Sequence, residues 1–449
     1  MSMASSAASR EERESAVLRR VSNRFLWFLL LCYGINFVDR TNIGFAALTM
    51  NKDLHLSATT FGIAGSALSF AYMLFEIPSN LMLERVGARK WLARIMITWG
   101  LAAAGCMFVT GPWSLIGMRM LVGIAEAGFS PGLVLFLTYW YPQYRRAGAQ
   151  TIPMIGQPIA GMFGALVGGL ILGMHGVWGL AGWRWLFLLE GLPAVVLGFI
   201  LLFYLADKPK DATFLSAEEK ATLTGLLERD EEERRRSQPA PVKRGVTRQL
   251  LSRNMLLISF AYACLIATFS ALTLWTPQII RGMSSAAMPF WFIGVLVAVP
   301  PSCSILWMLY WTRRSDKRKE RFWHCVAPML VAAAGWVVAA FIHNPAIQLV
   351  GLIVASAFSL SAWPVFYTTP SILLPREARA AGLAFLNTIG IAGSIVSPLI
   401  VGSLRDATGG FTVPMVAIAG LLLLGVILMM LVPKGLLERT GEAAVVPAT

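Results

Sequence analysis

Long apolar stretches recur along the whole chain and constrain its fold more than any other feature. Most carry Gly and Pro inside and Trp or Tyr near their ends, and they exceed the roughly 18 residues typical of a membrane-spanning helix. Charged residues make up only 14% of the chain, against roughly 25% in a soluble domain. The sequence therefore predicts an all-α membrane protein with twelve spans, near residues 25–49, 61–83, 91–110, 112–140, 151–174, 185–206, 254–280, 288–311, 323–342, 346–371, 380–403 and 412–433.

The positive charges alternate between successive loops. Nearly all of them fall in the N-terminal arm, in every second loop and in the C-terminal tail. Cytoplasmic loops carry such an excess, so both termini are predicted to be cytoplasmic. A net charge of +14 could suggest nucleic-acid binding, but a nucleic-acid surface would not alternate with the loops. The opposite loops hold only Lys52, Arg184, Arg281 and Arg405.

One long polar interruption follows the sixth predicted span. Ser216 and Glu219 have the spacing of a capping box and precede a charged run, so this linker is predicted to contain a solvated amphipathic helix. The apolar run that begins at Phe25 is too long for a signal peptide and is retained as the first span. The predicted order is a cytoplasmic arm, a six-helix bundle, the linker, a second six-helix bundle and a cytoplasmic tail, at residues 1–24, 25–206, 207–253, 254–433 and 434–449.

The loops after the second and the eighth predicted spans resemble each other. Each has an acidic residue and a basic cluster, over residues 84–90 and 315–321, as duplicated bundles would show. The first loop also resembles the G-x-x-x-D-R-x-G-x-R/K signature of the major facilitator superfamily, although Asn80 replaces the Gly and a Glu replaces the Asp. A carboxylate at a helix end can bind loop arginines in one state and release them in another. The predicted gating residues are Glu84, Arg85, Arg89 and Asp316.

Six further motifs occur in order over nearly the whole chain. They are Asn36 to Gly44, Arg119-x-x-x-Gly123-x-x-Glu126-Ala127-Gly128-x-x-Pro131-Gly132, Glu190-Gly191-x-Pro193, Trp275-Thr276-Pro277, Glu320-Arg321-x-x-His324 and Ala381-Gly382-x-Ala384-x-x-Asn387-x-x-Gly390. Together they resemble the anion:cation symporter family, which includes carriers for tartrate, phthalate, 4-hydroxyphenylacetate and sugar acids. The resemblance implies two six-helix bundles that expose a central site to each side of the membrane in turn. It also implies a small organic anion as substrate and a proton as coupling ion.

Six charged side chains fall inside predicted spans, all in the N-terminal half. Each costs roughly 3 kcal/mol or more at the bilayer centre unless it faces a cavity or a partner. Arg119 and Glu126 are seven residues apart and therefore lie on one face of the fourth span. Arg40 and Arg119 are predicted to bind a substrate carboxylate, because a guanidinium is always charged and presents a planar fork. The six are Asp39, Arg40, Glu76, Arg119, Glu126 and Glu190.

Asp39 and Glu126 are the predicted proton carriers. A buried carboxyl group can exchange a proton as its surroundings alternate between wet and dry, and the family resemblance implies this role for both positions. The alternative for Arg119 and Glu126 is a neutral packing network between two paired side chains. For Glu76 and Glu190, which lie nearer helix ends, a structural role is favoured.

Uncharged polar and aromatic residues complete the predicted substrate site. Hydroxyl and amide groups can hydrogen-bond a substrate without adding charge, and Tyr72 and Gln157 match family positions that contact substrate. Asn387 is the clearest polar candidate in the C-terminal half. The alternative for Tyr72 and Gln157 is a role in helix packing, and the alternative for a Trp is an anchor at the membrane–water interface. The predicted set is Tyr33, Tyr72, Gln157, Trp363 and Asn387, with Trp275 and Tyr367 as further members of an aromatic wall.

The residues and the resemblance together predict proton-coupled import of a small organic anion. A tartrate-like hydroxy acid is favoured over an aromatic acid such as phthalate or hydroxyphenylacetate and over a sugar acid, and export by antiport stays open. The sequence has no G-x-x-x-x-G-K-[ST] motif for ATP, no metal-ligand spacing, no catalytic pair inside a span and no output domain of a sensor. No cofactor is expected beyond the proton. The protein is expected to lie in the lipid bilayer of a bacterial inner membrane and to act as a monomer.

Overall fold

The computed structural model describes residues 2–237, 245–284, 288–375 and 378–438, and the regular elements in these ranges are all helical. The predicted all-α class is therefore confirmed. The α-helices are α1 (Ser2–Asp53), α2 (Ala58–Val86), α3 (Ala88–Gly105), α4 (Pro112–Glu126), α5 (Phe129–Thr138), α6 (Gln143–Leu172), α7 (Gly182–Tyr204), α8 (Ala217–Ser237), α9 (Val246–Leu250), α10 (Arg253–Gly282), α11 (Phe290–Arg318), α12 (Phe322–Phe341), α13 (Pro345–Leu373), α14 (Arg379–Thr408), α15 (Thr412–Met430) and α16 (Lys434–Leu437).

Within the described ranges, twelve segments are long and apolar enough to cross a membrane, as predicted. They are α1, α2, α3, the pair α4 and α5, α6, α7, and α10 to α15. The fourth span was expected to be one helix, but α4 ends at Glu126 and α5 begins at Phe129. Gly128 lies between them with a φ of 87°, and a Cβ there would lie 2.5 Å from the Ser79 Oγ. The break leaves the carboxylate of Glu126 at the end of α4.

The linker contains the predicted capping box. The backbone N of Ser216 donates to Glu219 Oε2 at 2.8 Å, and the backbone N of Glu219 donates to Ser216 Oγ at 3.2 Å. The hydrogen bond from Ser216 holds the pKa of Glu219 below its usual range. Glu219 also binds Arg20 of α1 at 2.6 Å, which attaches α8 to the first helix. Residues 238–244 of the linker and 439–449 of the predicted tail lie outside the described ranges.

The spanning helices pack in two groups. In the first group α1 contacts α6 and α7, α3 contacts α7, and α2 contacts α4. In the second, α10 contacts α14 and α15, α12 contacts α13 and α15, and α11 contacts α13. The groups meet where α2 packs on α14, α6 on α11 and α1 on α10. This is the predicted architecture of two six-helix bundles.

Small residues let α6 approach α1 and fix its position. A Cβ on Gly156 would lie 2.8 Å from the Leu30 carbonyl oxygen, so the two backbones are too close for any larger residue. About two and three turns further on, Cβ atoms at Gly164 and Gly168 would lie within 3.3 Å of α1 side chains. The packing holds α1, which carries two of the charged residues of the candidate site, against the bundle interior.

The bundles are closed against each other at the end that the charge pattern assigns to the outside. Cβ atoms built on Gly62 and Gly402 would lie 2.3 Å and 2.4 Å from carbonyl oxygens of the opposite bundle. The Oγ of Ser66 donates to the Ile395 carbonyl oxygen at 2.6 Å. Such close approach leaves no water-filled path between α2 and α14 here. We name this region the closed end; it consists of Ala58, Gly62 and Ser66 of α2 with Ile395, Pro398 and Gly402 of α14.

Asp406 joins the two bundles at the closed end through hydrogen bonds. Its Oδ1 accepts from the backbone N of Ala58 at 2.9 Å and its Oδ2 from the backbone N of Thr59 at 2.7 Å. These N–H groups belong to the first turn of α2, where the helix dipole is positive and favours an anion. A carboxylate of the C-terminal bundle therefore caps a helix of the N-terminal bundle.

Candidate substrate and proton site

The centre of the candidate site is an ion pair between the first and the fourth spans. Arg40 donates from Nε to Glu126 Oε1 at 2.6 Å, and its Nη2 lies 2.5 Å from the same oxygen. Asn36, one turn earlier on α1, donates from Nδ2 to that oxygen at 2.8 Å. Three donors therefore converge on one carboxylate oxygen, while Glu126 Oε2 is buried without a partner among the described residues.

The two members of this pair differ sharply in exposure. The side chain of Glu126 is 1% exposed and that of Arg40 is 30% exposed. The Arg40 guanidinium also lies 4.9 Å from the centre of the Tyr72 ring, an arrangement in which the ring face attracts the cation. Part of the Arg40 side chain is therefore accessible to a ligand, whereas Glu126 is enclosed.

Asp39 has a different hydrogen-bond partner from its neighbour Arg40. Its Oδ2 accepts a hydrogen bond from Trp99 Nε1 at 2.6 Å, and the residue is 1% exposed. Its Oδ1 is buried and has no partner in the described part of the chain. The two predicted proton carriers thus occupy separate surroundings, one beside an arginine and one beside an indole.

Arg119 does not pair with Glu126, although both lie on α4. Arg119 is 4% exposed, and its Nε has no hydrogen-bond partner among the described residues. Glu126 is held by Arg40 instead, and the alternative of a neutral Arg119–Glu126 packing network stays untested. Arg119 is buried, and its role in substrate binding stays a prediction. Glu190 is likewise buried, with both carboxylate oxygens unpartnered within the described ranges.

The C-terminal bundle contributes an aromatic and amide cluster. The Oη of Tyr367 donates to Asn387 Oδ1 at 3.0 Å, and Trp363 Nε1 donates to the Tyr262 Oη at 2.9 Å. The rings of Trp363 and Tyr262 each lie within 6 Å of the Tyr367 ring, at 5.9 Å and 5.8 Å. The structure therefore joins the predicted Trp363 and Asn387 through Tyr367. Tyr262 was missed, since a single Tyr in an apolar span carries no distinguishing pattern.

Two further predicted residues lie in the N-terminal bundle. Tyr33 of α1 is nearly buried, with its ring 5.9 Å from that of Phe37. Gln157 is 6% exposed on α6, the helix that packs directly on α1. The predicted substrate residues thus come from both bundles, and their contact with substrate stays a prediction.

Trp275 does not belong to the aromatic wall to which the sequence assigned it. It is fully buried and its ring meets that of Phe61 edge to face at 5.1 Å. Phe61 lies on α2 next to Gly62 of the closed end, so this contact joins the two bundles there. The sequence motif identified Trp275 as a candidate, but it could not distinguish a residue of the substrate site from one that packs between the bundles.

The first predicted gating loop has a partner that the sequence did not suggest. The backbone N of Arg89 donates to Asp207 Oδ1 at 2.8 Å, and the Arg89 Nε lies 3.9 Å from Asp207 Oδ2. Glu84 and Arg85 are both exposed. The carboxylate next to the loop arginine is therefore that of Asp207, at the start of the linker, and the gating role of Glu84 stays a prediction.

The matching loop of the C-terminal bundle is closed on itself. Asp316 Oδ1 accepts from Arg321 Nη2 at 2.6 Å, and the Nη1 of the same arginine donates to Ser315 Oγ at 2.6 Å. Both duplicated loops therefore hold an arginine against a carboxylate, but from different positions. A switch in these pairs between states stays a prediction.

Comparisons with known proteins agree with this architecture. The family model of the Major Facilitator Superfamily matches residues 29–398. A protein of Agrobacterium vitis named "Putative tartrate transporter" is 39% identical over 433 residues, covering 96% of this chain and 95% of its own length. "Putative metabolite transport protein NicT" of Pseudomonas putida is 35% identical, covering 94% and 96%. The crystal structure of a bacterial homolog of the human lysosomal transporter Spinster, inward-facing and unoccupied, matches with a TM-score of 0.76 at 18% identity, covering 96% and 99%.

Twelve spans in two bundles, with an ionic site in one bundle and an aromatic cluster in the other, together with the relatives, define a multi-pass membrane transporter rather than an enzyme. The chain belongs to the Major Facilitator Superfamily and, within it, to the anion:cation symporter type. The resemblance found in the sequence motifs is thereby confirmed. Its substrate is a small molecule and its environment is the lipid bilayer.

Proposed function

We propose that this protein imports a small organic carboxylate together with protons, by alternating access of the two bundles. The observation that carries the proposal is the ion pair of Arg40 and Glu126, in which the arginine is 30% exposed and the carboxylate 1%. A substrate carboxylate that approaches from the cleft meets the same guanidinium that Glu126 already holds. Substrate and Glu126 are therefore competitors for one cation.

This competition supplies a physical reason for proton coupling. If an anion took Arg40 while Glu126 stayed ionised, a carboxylate would be left buried and unpaired, which costs about 3–5 kcal/mol. Protonation of Glu126 removes that penalty and releases Arg40 for the incoming anion. Binding of the substrate and uptake of a proton are thus favourable together and unfavourable apart.

Asp39 is the second proposed proton carrier. With Trp99 as its one described hydrogen-bond donor and no cation within ion-pair distance, its charged form is poorly compensated. Its neutral form would leave the N-terminal bundle with less buried charge as the bundles rock. Arg119 is buried on α4. We propose that its positive charge stabilises the ionised forms of Asp39 and Glu126.

A tartrate-like hydroxy acid is the proposed substrate. Arg40 supports one carboxylate, and the hydroxyl of Tyr367 with the amide of Asn387 supplies donors and acceptors for hydroxyl groups. The name of the Agrobacterium vitis relative favours the same substrate. Phthalate, hydroxyphenylacetate or a sugar acid is the alternative that the aromatic rings would suit. Cytoplasmic termini, a bacterial inner membrane and a monomeric unit complete the proposal.

Uptake by purified protein in proteoliposomes tests this function. Labelled tartrate, phthalate and a sugar acid would be supplied outside, with and without an inward proton gradient, and with a protonophore added afterwards. Accumulation of one acid above its external concentration, abolished by the protonophore, supports proton-coupled import. Uptake that equilibrates at the same rate without the gradient would contradict the coupling, and no uptake of any acid would contradict the substrate class.

A further inference from the structure

A cavity of about 480 Å³ lies between the bundles at the closed end. It is bounded by the end of α1 and the start of α2 on one side, and by the ends of α10 and α14 on the other. Three cations line it: Lys52 from α1, Arg281 from α10 and Arg405 from α14. Asp406 is the acidic residue in its lining.

Cations are rare in the loops assigned to the outside. The loops assigned to the outside hold four cations in all, and three of the four line this one cavity. The fourth, Arg184, donates to the Met107 carbonyl oxygen at 2.9 Å within the N-terminal bundle. The positive charge of this face is therefore concentrated where the two bundles must part.

Acidic side chains of the described residues do not neutralise these three cations through ion pairs. Within the described part of the chain none of them forms an ion pair, and the Arg281 Nη1 donates to a backbone carbonyl oxygen at 3.3 Å. Arg405 donates to the Oε1 of Gln278 and lies 4.3 Å from the centre of the Phe411 ring. Their charge is left to act on the cavity.

Gln278 supplies a second, independent indication of a ligand. It lines the cavity, it is 7% exposed, and its Nε2 has no hydrogen-bond partner among the described residues. Its Oε1 already accepts from Arg405, so the free group is a donor. A buried donor beside three cations requires an acceptor, and a carboxylate oxygen is the acceptor that the charges favour.

The closed end already shows what kind of group it binds. The first turn of α2 borders the cavity and holds the carboxylate of Asp406 through two backbone N–H groups. A carboxylate therefore fits beside the cavity while the bundles are closed.

We propose that this cavity is an outer anion site, in which Lys52, Arg281 and Arg405 hold a carboxylate from the outer solution before the bundles part. This inference rests on the proposed import of an organic anion. The site collects substrate at the closed end, while Arg40 and Glu126 receive it at the centre. Its ligand class is the small carboxylate that the protein carries.

Capture of this kind has a distinctive kinetic signature. A cluster of like charges in a cleft raises the arrival rate of an oppositely charged ligand about 10-fold or more, and salt weakens the effect. The Debye length falls from roughly 30 Å at 0.01 M to roughly 8 Å at 0.15 M ionic strength. Loss of the charge should therefore raise KM, leave the saturated rate close to that of the wild type and flatten the dependence on salt.

The test compares uptake by the wild type with that by the double variant Lys52→Gln, Arg281→Gln. Arg405 is kept, because it also packs on Phe411 and binds Gln278. In proteoliposomes that take up labelled tartrate, or whichever carboxylate the wild type accepts, KM of the variant should rise about fivefold at low ionic strength and approach the wild-type value at high ionic strength. Arg184→Gln, which removes the cation outside the cavity, should leave KM and its salt dependence unchanged.

Two further outcomes separate this inference from the proposed function. Wild-type protein that takes up no carboxylate overturns the proposed function itself. Wild-type uptake with an unchanged KM and salt dependence in the double variant overturns the outer anion site alone. If the double variant does not fold, Lys52→Glu at the exposed end of α1 replaces it, and a KM equal to that of the wild type would then overturn the site.

Discussion

Arg40 holds a single oxygen of Glu126 through two nitrogen atoms, at 2.6 Å and 2.5 Å, across the gap between the first and fourth spans. Asn36 binds the same oxygen, while the other oxygen of Glu126 has no partner among the described residues. The arginine is partly exposed and the carboxylate is not. A guanidinium shared between a buried carboxylate and the cleft can pass from one anion to another, and that exchange is the core of the proposed mechanism.

Arg40→Lys tests the geometry of that exchange. Lys keeps the positive charge but offers one compact ammonium in place of a planar fork, so it cannot reproduce the contacts of Nε and Nη2. We expect the ratio of maximal rate to KM to fall at least about 10-fold, equivalent to about 1.4 kcal/mol. Initial rates of uptake in proteoliposomes measure it, with Arg184→Lys, outside the cleft, as the control. Wild-type kinetics in Arg40→Lys would show that charge alone suffices.

Tyr367→Phe tests the C-terminal cluster. The change removes the hydroxyl that donates to Asn387 and keeps the ring that packs between Trp363 and Tyr262. In the proposed site this hydroxyl also binds substrate. One lost hydrogen bond to substrate contributes about 0.5–1.5 kcal/mol, so KM should rise about two- to tenfold. The matched control is Tyr310→Phe on α11, whose side chain is exposed. A KM that changes equally in both variants, or in neither, would remove Tyr367 from the substrate site.

Asp406→Asn should loosen the closed end. An anion at a helix N-terminus contributes typically 0.3–1 kcal/mol and up to about 2 kcal/mol, and the amide removes its charge. We expect the bundles to part more often, so that a thiol placed at Ser66 in the seam between α2 and α14 reacts several-fold faster with a membrane-impermeant maleimide. The background protein would carry Cys303→Ser, because Cys303 is exposed.

The control for this experiment is Asp53→Asn. Asp53 lies at the same end of the molecule, but its Oδ2 accepts from Trp183 Nε1 at 2.8 Å within the N-terminal bundle. Its loss should leave the labelling of Ser66→Cys unchanged. Equal labelling rates in Asp406→Asn and in the unmodified background would mean that the Asp406 bonds do not hold the bundles together.

Gly402→Ala should prevent the closed end from forming as it does here. The added Cβ would lie 2.4 Å from the Ala58 carbonyl oxygen, a distance at which the backbones must separate. We expect uptake to fall steeply, because one of the two end states of the cycle is strained. Gly420→Ala on α15, where a Cβ meets nothing within 4 Å, is the matched control. Uptake that is equal in the two variants would show that α2 and α14 need not approach this closely.

The sequence was sufficient for the fold because hydropathy and loop charge act locally. Each span is apolar for its own length, so twelve spans could be placed without knowledge of their neighbours. The break in the fourth span was not predictable in the same way. Gly128 adopts a left-handed conformation where α5 meets Ser79 of α2, and that contact depends on packing between helices.

In the candidate site, too, the residues could be predicted from the sequence but their partners could not. Spacing along α4 gave the common face of Arg119 and Glu126, but not that Glu126 turns to Arg40 of another span. Chemical type likewise identified Asp39 as a buried carboxyl group and could not supply Trp99 as its partner. Residue types and their faces follow from sequence, whereas the choice among possible partners follows from how the helices pack.

Proton transfer by Glu126 is tested by comparing two transport modes in Glu126→Gln. Gln has nearly the shape of Glu but cannot carry or release a proton, and it leaves Arg40 permanently available to the substrate. We expect exchange of labelled for unlabelled acid across the membrane to persist, while accumulation driven by an inward proton gradient is lost. Accumulation that continues at the wild-type level in Glu126→Gln would show that Glu126 does not carry the coupled proton.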